Sequence, residues 1–281
     1  MSDIFLSLSP GSDSRLPPLE AMSEAAADEA LEFMVVGATA RDLVLHRGFG
    51  IRAIRATQDV DVGVHVASWN DYEKLVDNLL GRGWKRRQER RYHRLHYTEY
   101  QWIDIVPFGG IARPDGTIAW PPDGNEVMST LGFSEAFRHA LLFELPSGYL
   151  CPVASLPSQA LLKIAAWLDR KAASDVSDLA FLMETYADAD NLGRLYEGES
   201  PVAEQYDYEV SLAAIHLLGM DIRRTASTQA IGGVLDSLRQ ALETPDASAL
   251  IIASTGHLAD PADIDQAVKR FEALVRGMSH Q

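Results

Sequence analysis

Residues 58–66 read Gln-Asp-Val-Asp-Val-Gly-Val-His-Val, with valine at every second position. Alternate residues share a face only in extended backbone, so this segment is a strand whose valine face, Val60, Val62 and Val64, turns to a core. The same geometry fixes the other face: Asp59 and Asp61 project there together. Two neighbouring carboxylates repel unless a cation sits between them, and a divalent metal is the usual one. Alone, such a pair is as readily the solvated face of a half-exposed strand, so what surrounds it decides.

Upstream, Phe33–Val36 is a short apolar run that stops at Gly37 and gives way to a helix over Thr39–Arg47, closing at Gly48. A tight glycine turn into a helix N-terminus offers backbone N–H groups to an anion such as a triphosphate. The competing reading is an ordinary strand-to-helix turn. Downstream, Asp104 interrupts the apolar run Trp102-Ile103-Asp104-Ile105-Val106, where a carboxylate is costly to bury without a cation or strong hydrogen bonds. Three strand carboxylates on one edge are the donor set of a two-Mg²⁺ centre for phosphoryl or nucleotidyl transfer.

The chain has 281 residues, enough for one large domain or two ordinary ones at about 100–200 residues each. Its single cysteine, Cys151, excludes an internal disulfide and a cysteine zinc site. No stretch reaches the ~20 apolar residues of a membrane helix, and the first twenty residues lack the basic and apolar regions of a secretory signal. A cytoplasmic protein with no membrane partner is expected. Residues 1–19, rich in Ser, Pro and Gly, read as a flexible leader. Residues 20–152 read as an α+β domain, a small mixed β-sheet with flanking helices. Its helices are Leu19–Leu31 and Trp69–Leu80, with strands around 91–97 and 101–106, and a Pro/Gly-rich loop with a short hairpin at 107–125. Residues 153–281 read as an α-helical domain, with helices over 158–170, 175–186, 202–218, 229–242 and 260–276. Asp260 caps the last of these and Gly277 ends it.

Lys and Arg number 25 against 40 Asp and Glu, a formal charge of −15, which argues against a nucleic-acid partner if evenly spread. It is not. Arg82, Lys85, Arg86, Arg87, Arg90, Arg91 and Arg94 crowd one segment with Glu89 as its only acid, and Tyr92, His93, His96 and Tyr97 lie among or after them. Lys85, Arg86, Arg87, Arg90, Arg91 and Arg94 are therefore the candidate RNA-binding residues, against the alternative of a solvated basic face. His93 and His96 lack a third ligand for zinc and read as part of that basic surface. A P-loop and a G-x-S-x-G elbow are both missing from the sequence.

Taken in order, VVGATARDLVL, RATQDVDVGV and WIDIVPFGGI resemble the nucleotidyltransferase (DNA polymerase β-like) superfamily. The following LPSQALLKIAAWLDRKAASDVSDLAFLM is similar to its AbiEii/AbiGii-type toxin branch. The resemblance covers roughly residues 33–186. It implies an NTP as substrate, two Mg²⁺ (or Mn²⁺) ions held by Asp59, Asp61 and Asp104, and backbone contacts to the phosphates from Gly37, Ala38 and Thr39. Where the family usually has Gly-Gly or Gly-Ser this chain has Gly37-Ala38, leaving Thr39 as the nearest hydroxyl. The resemblance also implies nucleotide contacts from Arg55 and Thr57, engagement of the triphosphate by Lys163, and a place near the site for Asp175 or Asp178. At helical spacing Lys163, Trp167 and Arg170 share a face, and Asp175 and Asp178 share another, so a salt-bridged helical hairpin is the rival reading of these residues. The activity implied is transfer of an NMP to an acceptor hydroxyl: an RNA 3′ end such as that of tRNA, in a toxin–antitoxin or abortive-infection system with a cognate partner protein. The alternatives are an antitoxin-type enzyme that AMPylates a protein, and a nucleotide-binding interaction module without turnover.

Overall fold

The computed structural model describes residues 4–9, 13–52, 59–87, 93–198, 201–243, 246–255 and 261–279. They fall into two units, Met1–Ser155 and Leu156–Gln281.

The first unit runs β1 (Ile4–Ser7), α1 (Leu16–Asp28), β2 (Glu32–Val36), α2 (Gly37–Asp42), which continues as a π-helical turn over Leu43–Gly48, β3 (Val60–Val66) and α3 (Trp69–Gly81). There follow β4 (Arg94–His96), β5 (Trp102–Gly109), the hairpin strands β6 (Thr117–Ala119) and β7 (Val127–Ser129), α4 (Phe133–Arg138), β8 (Leu141–Glu144) and β9 (Leu150–Val153). Among the described residues the main sheet has the order β1-β8-β9-β2-β3-β5-β4. It is mixed: β1–β8, β9–β2 and β3–β5 are parallel, while β8–β9, β2–β3 and β5–β4 are antiparallel. The valine alternation performs as expected, since Val60, Val62, Val64 and Val66 are all buried together with Ile103 and Ile105 of β5. The architecture is α+β.

Two local expectations change. Ile4–Ser7, expected within a loose leader, is an edge strand: Leu8 N–H donates to the Glu144 carbonyl at 2.7 Å, and Phe5 packs on Phe49 and Phe143. A partner about 137 residues away along the chain supplies what local propensity does not. Helix α1 starts at Leu16, three residues before the expected Leu19, because Pro17 and Pro18 occupy its first turn, where a missing N–H is harmless. Helix α3 starts on a capping box in which Ser68 and Asp71 satisfy each other's backbone N–H groups.

The second unit contains α5 (Leu156–Arg170), α6 (Ala173–Thr185), 3₁₀ turns at Gly193–Tyr196 and Val202–Tyr206, α7 (Val210–Thr225), α8 (Thr228–Glu243), α9 (Asp246–Thr255) and α10 (Pro261–Ser279). The expected helix over 202–218 is broken, because Asp207 and Tyr208 take positive φ values of 50° and 64°. Asp221 of α7 ties the unit together, accepting hydrogen bonds from the Tyr186 hydroxyl, Arg194 and Arg224. The expected cap Asp260 lies outside the described residues.

Gly277 does not end α10. The helix runs through it to Ser279, and the glycine serves contact: a Cβ there would overlap the His216 carbonyl oxygen of α7 and lie 3.0 Å from the Gly219 Cα. Gly277→Ala is expected to destabilise the chain by about 1–3 kcal/mol through overpacking, read by urea unfolding. Gly233→Ala in α8, where a Cβ meets nothing within 4 Å, should instead stabilise by about 0.5–1 kcal/mol through helix propensity.

Candidate active site

Register brings the first three motifs of the first unit into one line. Val36 of β2 pairs with Asp61 of β3, Asp61 with Asp104 of β5, and Asp104 with Arg94 of β4. Partners level in adjacent strands share a face about 5 Å apart. Asp61 and Asp104 therefore stand side by side, and Asp59 lies two residues earlier on the Asp61 face. The far end of that face is sealed by aromatic packing: Phe133 of α4 lies against Gly63 and Phe108, and His65 against Phe108. Asp61 and Asp104 stay half-exposed, while Gly63, Val106 and Phe108 next to them on that face are buried.

Like charges level in a sheet are destabilising, and Arg94 supplies a compensating cation. Arg94 donates to both oxygens of Asp104, Nε to Oδ1 at 2.7 Å and Nη2 to Oδ2 at 2.6 Å. Its guanidinium carbon lies 4.8 Å from the ring centre of Trp102, a cation–π arrangement. The hydrogen bonds it donates to Asp104 hold the Arg94 pKa above its ordinary value against the effect of burial, with Asp59 and Asp61 adding to the pull. Asp104 thus holds the guanidinium directly, and Asp59 and Asp61 lie near enough to favour its charge. The strand alternation Arg94-Leu95-His96 carried this placement, but only pairing with β5 says which face meets Asp104.

The glycine turn is part of the same construction. Gly37 has φ +66°, and a Cβ on it would overlap Oδ2 of Asp61 and come 2.9 Å from its Cγ. Thr39, expected to offer its hydroxyl to phosphate, is fully buried and donates that hydroxyl to the Asp59 carbonyl at 2.6 Å. Its side chain fixes the approach to β3, because a buried hydroxyl needs its partner. Gly37 and Ala38 stay half-buried at the start of α2.

Oxygen-only carboxylate donors suit a hard divalent cation, and the guanidinium on Asp104 places a positive charge beside them. Among the described residues no three carboxylate, imidazole or thiol groups come together as a ready-made ligand set, and Asp104 is engaged by Arg94. Asp59, Asp61 and Asp104 are of the type such a cation takes, and Asp104 would exchange Arg94 for it.

The basic block divides. Arg82 is tied to Glu24 and Asp28 at 2.6 and 2.5 Å, and Arg94 belongs to the acidic row rather than to an open surface. Lys85, Arg86 and Arg87 are exposed where Lys85 bridges to His96 beside the edge strand β4. Arg86 is near enough to oppose the rise that burial gives the Tyr72 phenol pKa, while Asp104 adds to that rise. His96, expected on the basic surface, has both ring nitrogens buried near Trp102, and burial, then Arg87 and Arg94, lower its pKa. His93 lies against Trp120. Arg55, Thr57, Arg90 and Arg91 lie outside the described residues. Cys151 is buried, its thiol pushed up to about 12, and is a core residue.

In the second unit, Lys163 of α5 reaches Asp175 at 3.3 Å and Asp178 at 2.6 Å across to α6, and Arg170 makes a fork to Asp175 at 2.6–2.7 Å. Asp175 has a fully buried side chain and Lys163 keeps about a fifth of its own exposed. The helical hairpin is salt-bridged.

Three solved structures overlap much of the chain at low similarity. The solution structure of the antibiotic-resistance factor ANT(2'')-Ia is 13 % identical, over 84 % of this chain and 97 % of that one, with a TM-score of 0.35. An antigenic nucleotidyltransferase-like protein from Paracoccidioides brasiliensis is 15 % identical, over 88 % and 96 %, with a TM-score of 0.41. A tRNA nucleotidyltransferase complexed with a primer tRNA and an incoming ATP analog is 13 % identical, over 88 % and 79 %, with a TM-score of 0.28. At these scores the overlaps carry no inference about substrate. No curated protein matches the chain. The family model described as "Nucleotidyl transferase AbiEii toxin, Type IV TA system" matches residues 20–269, nearly the whole of both units, so the chain belongs to the AbiEii family and is a nucleotidyltransferase.

Proposed function

We propose that this nucleotidyltransferase moves an NMP from an NTP to the 3′ hydroxyl of an RNA such as tRNA, as the toxin of a toxin–antitoxin pair. The carrying observation is the level pairing of Asp61 and Asp104, with the Gly37 turn pressed against Asp61. In this reading Asp59 and Asp61 hold both divalent ions, Mg²⁺ or Mn²⁺, and Asp104 joins them at the one beside the acceptor. Bound there, the ions would supply charge neutralisation at the reacting phosphate. The chain's own groups do the rest. The backbone N–H groups of Gly37, Ala38 and Thr39 meet the phosphates, and Asp104 orients the acceptor hydroxyl and draws on its proton. Lys163 engages the leaving pyrophosphate, with Asp175 and Asp178 holding the lysine in place, and Arg55 and Thr57 contact the nucleotide. Positioning and charge supply most of the rate in such transfers.

RNA is favoured as acceptor because the exposed cations Lys85, Arg86 and Arg87 stand beside the edge strand that carries Arg94, with Arg90 and Arg91 in the same segment. The test is incubation with Mg²⁺, each labelled NTP, total tRNA and the product of the neighbouring gene. Label on RNA is the expected result, and charge reversal at Arg86, Arg87 and Arg90 should weaken RNA binding and flatten its salt dependence. Label on the neighbouring protein alone would replace this reading with protein AMPylation, and no label on any acceptor would leave a nucleotide-binding module.

A further inference from the structure

Two rows of side chains make up the half-exposed patch on the sheet face that carries the acids. The first is Asp61, Asp104 and Arg94, level across β3, β5 and β4. In the second, His96 is level with Trp102, and Asp59 falls beside Trp102 because Val60, the next residue, is level with Ile103. Residues two apart share a face, so Trp102 and His96 stand next to the carboxylates, and all six residues are half-exposed.

Neither ring offers a hydrogen-bonding edge. Trp102 Nε1 and both His96 ring nitrogens are buried without a hydrogen-bond partner among the described residues, so the ring surface open to solvent is carbon. The two ring centres lie 5.9 Å apart. Two residues before Trp102, in the turn from β4, Tyr100 is 70 % exposed. That turn is anchored from outside: Gln101 Nε2 donates to the Ser14 carbonyl at 2.7 Å, and Tyr97 packs on Trp84 with ring centres 5.1 Å apart. Along the outer side of β4, Lys85 and His96 exchange backbone hydrogen bonds of 2.9 and 3.0 Å, which brings the exposed Lys85, Arg86 and Arg87 beside this edge. Rings that offer carbon beside exposed cations are the means of holding an unpaired nucleic-acid strand, whose bases stack while its phosphates meet the positive charge.

We propose that the edge formed by Trp102, His96 and Tyr100 is the track for the unpaired 3′ end of the acceptor RNA, its bases stacked on these rings and its phosphates toward Lys85, Arg86 and Arg87. The track leads to Asp104, two residues from Trp102 on the same face. The inference rests on RNA being the acceptor, and adds that the RNA is taken single-stranded, by stacking and with tolerance for sequence.

The test is fluorescence anisotropy at low salt of a 5′-fluorescein-labelled RNA of about eight nucleotides, titrated with the full chain without NTP or metal. Wild type should bind it about ten-fold or more tightly than the same strand in a blunt duplex. Abasic sites in place of the terminal bases should weaken wild-type binding by about 5- to 100-fold, the scale of stacking a base. That penalty should shrink in Tyr100→Ala and return in Tyr100→Phe. Tyr100→Ala should leave the salt dependence of binding unchanged, whereas Arg86→Gln with Arg87→Gln should flatten it. Trp102→Leu should act as Tyr100→Ala does, and where it fails to fold, Tyr100→Ala and the abasic strand on wild type decide. Equal binding of the duplex, an abasic strand bound as tightly as the intact one, or a penalty that Tyr100→Ala leaves whole overturns the track. If labelled NTP still marks RNA in that case, the RNA reading stands without it. Absence of RNA binding overturns the track as well, and with label on a protein alone it overturns the RNA reading too.

Discussion

Asp61→Asn is expected to lower nucleotide incorporation by about 10³-fold or more, the scale seen when a group that stabilises transition-state charge is removed, without lowering the melting temperature. The two outcomes separate because Asp61 stands level with Asp104. Neutralising one of two like charges in adjacent strands removes a repulsion, so stability should hold or rise. Asn keeps the volume and hydrogen-bonding capacity of the side chain. Initial rates of label transfer and a thermal melt on the same preparation decide the matter. Activity near wild type would remove Asp61 from the reacting centre, and a large fall in melting temperature would make its role structural. Asp104→Asn should show the same loss of incorporation but with a stability cost, since it leaves the Arg94 guanidinium without its carboxylate.

Gly37→Ala should abolish incorporation for a different reason and with the opposite effect on stability. Left-handed backbone costs an L-residue about 1–2 kcal/mol, and the added Cβ would overlap the Asp61 carboxylate, which adds about 1–3 kcal/mol of overpacking. A total loss of about 2–5 kcal/mol follows, measurable by urea unfolding. The collision makes a coupling: adding Asp61→Ala should return part of the stability but none of the activity. Simple additivity of the two substitutions would show that the methyl group and the carboxylate do not meet.

Much of this arrangement was legible in the sequence. The valine alternation fixed β3 and the common face of Asp59 and Asp61, and the isoleucines around Asp104 marked a strand. Seven of the helix expectations correspond to α1, α2 with its π-helical turn, α3, α5, α6, α8 and α10, within three residues at their ends. What escaped depends on distant partners. Ile4–Ser7 is a strand because β8 is there to pair with it. Gly277 looked like a helix stop because the carbonyl it approaches belongs to another helix. Thr39 looked free to meet phosphate until Asp59 was folded against it. Arg94 was grouped with the basic block because charge along a chain does not reveal register. The hairpin reading of Lys163, Asp175 and Asp178 was recoverable from helical spacing, and the ion pairs agree with it.

The short turn between β4 and β5 carries a consequence of its own. Tyr97 and Thr98 N–H groups both close onto the Gln101 carbonyl, and this turn sets which residue of β4 stands opposite Asp104. Because side chains alternate across the sheet, the length of that turn has a parity. Gaining or losing one residue there would put Leu95, an aliphatic side chain, opposite the carboxylate and send the guanidinium to the buried side, whereas a change of two would keep a polar residue facing the acids. Among relatives of this chain, turn lengths should therefore differ in even steps wherever an arginine pairs with the third carboxylate.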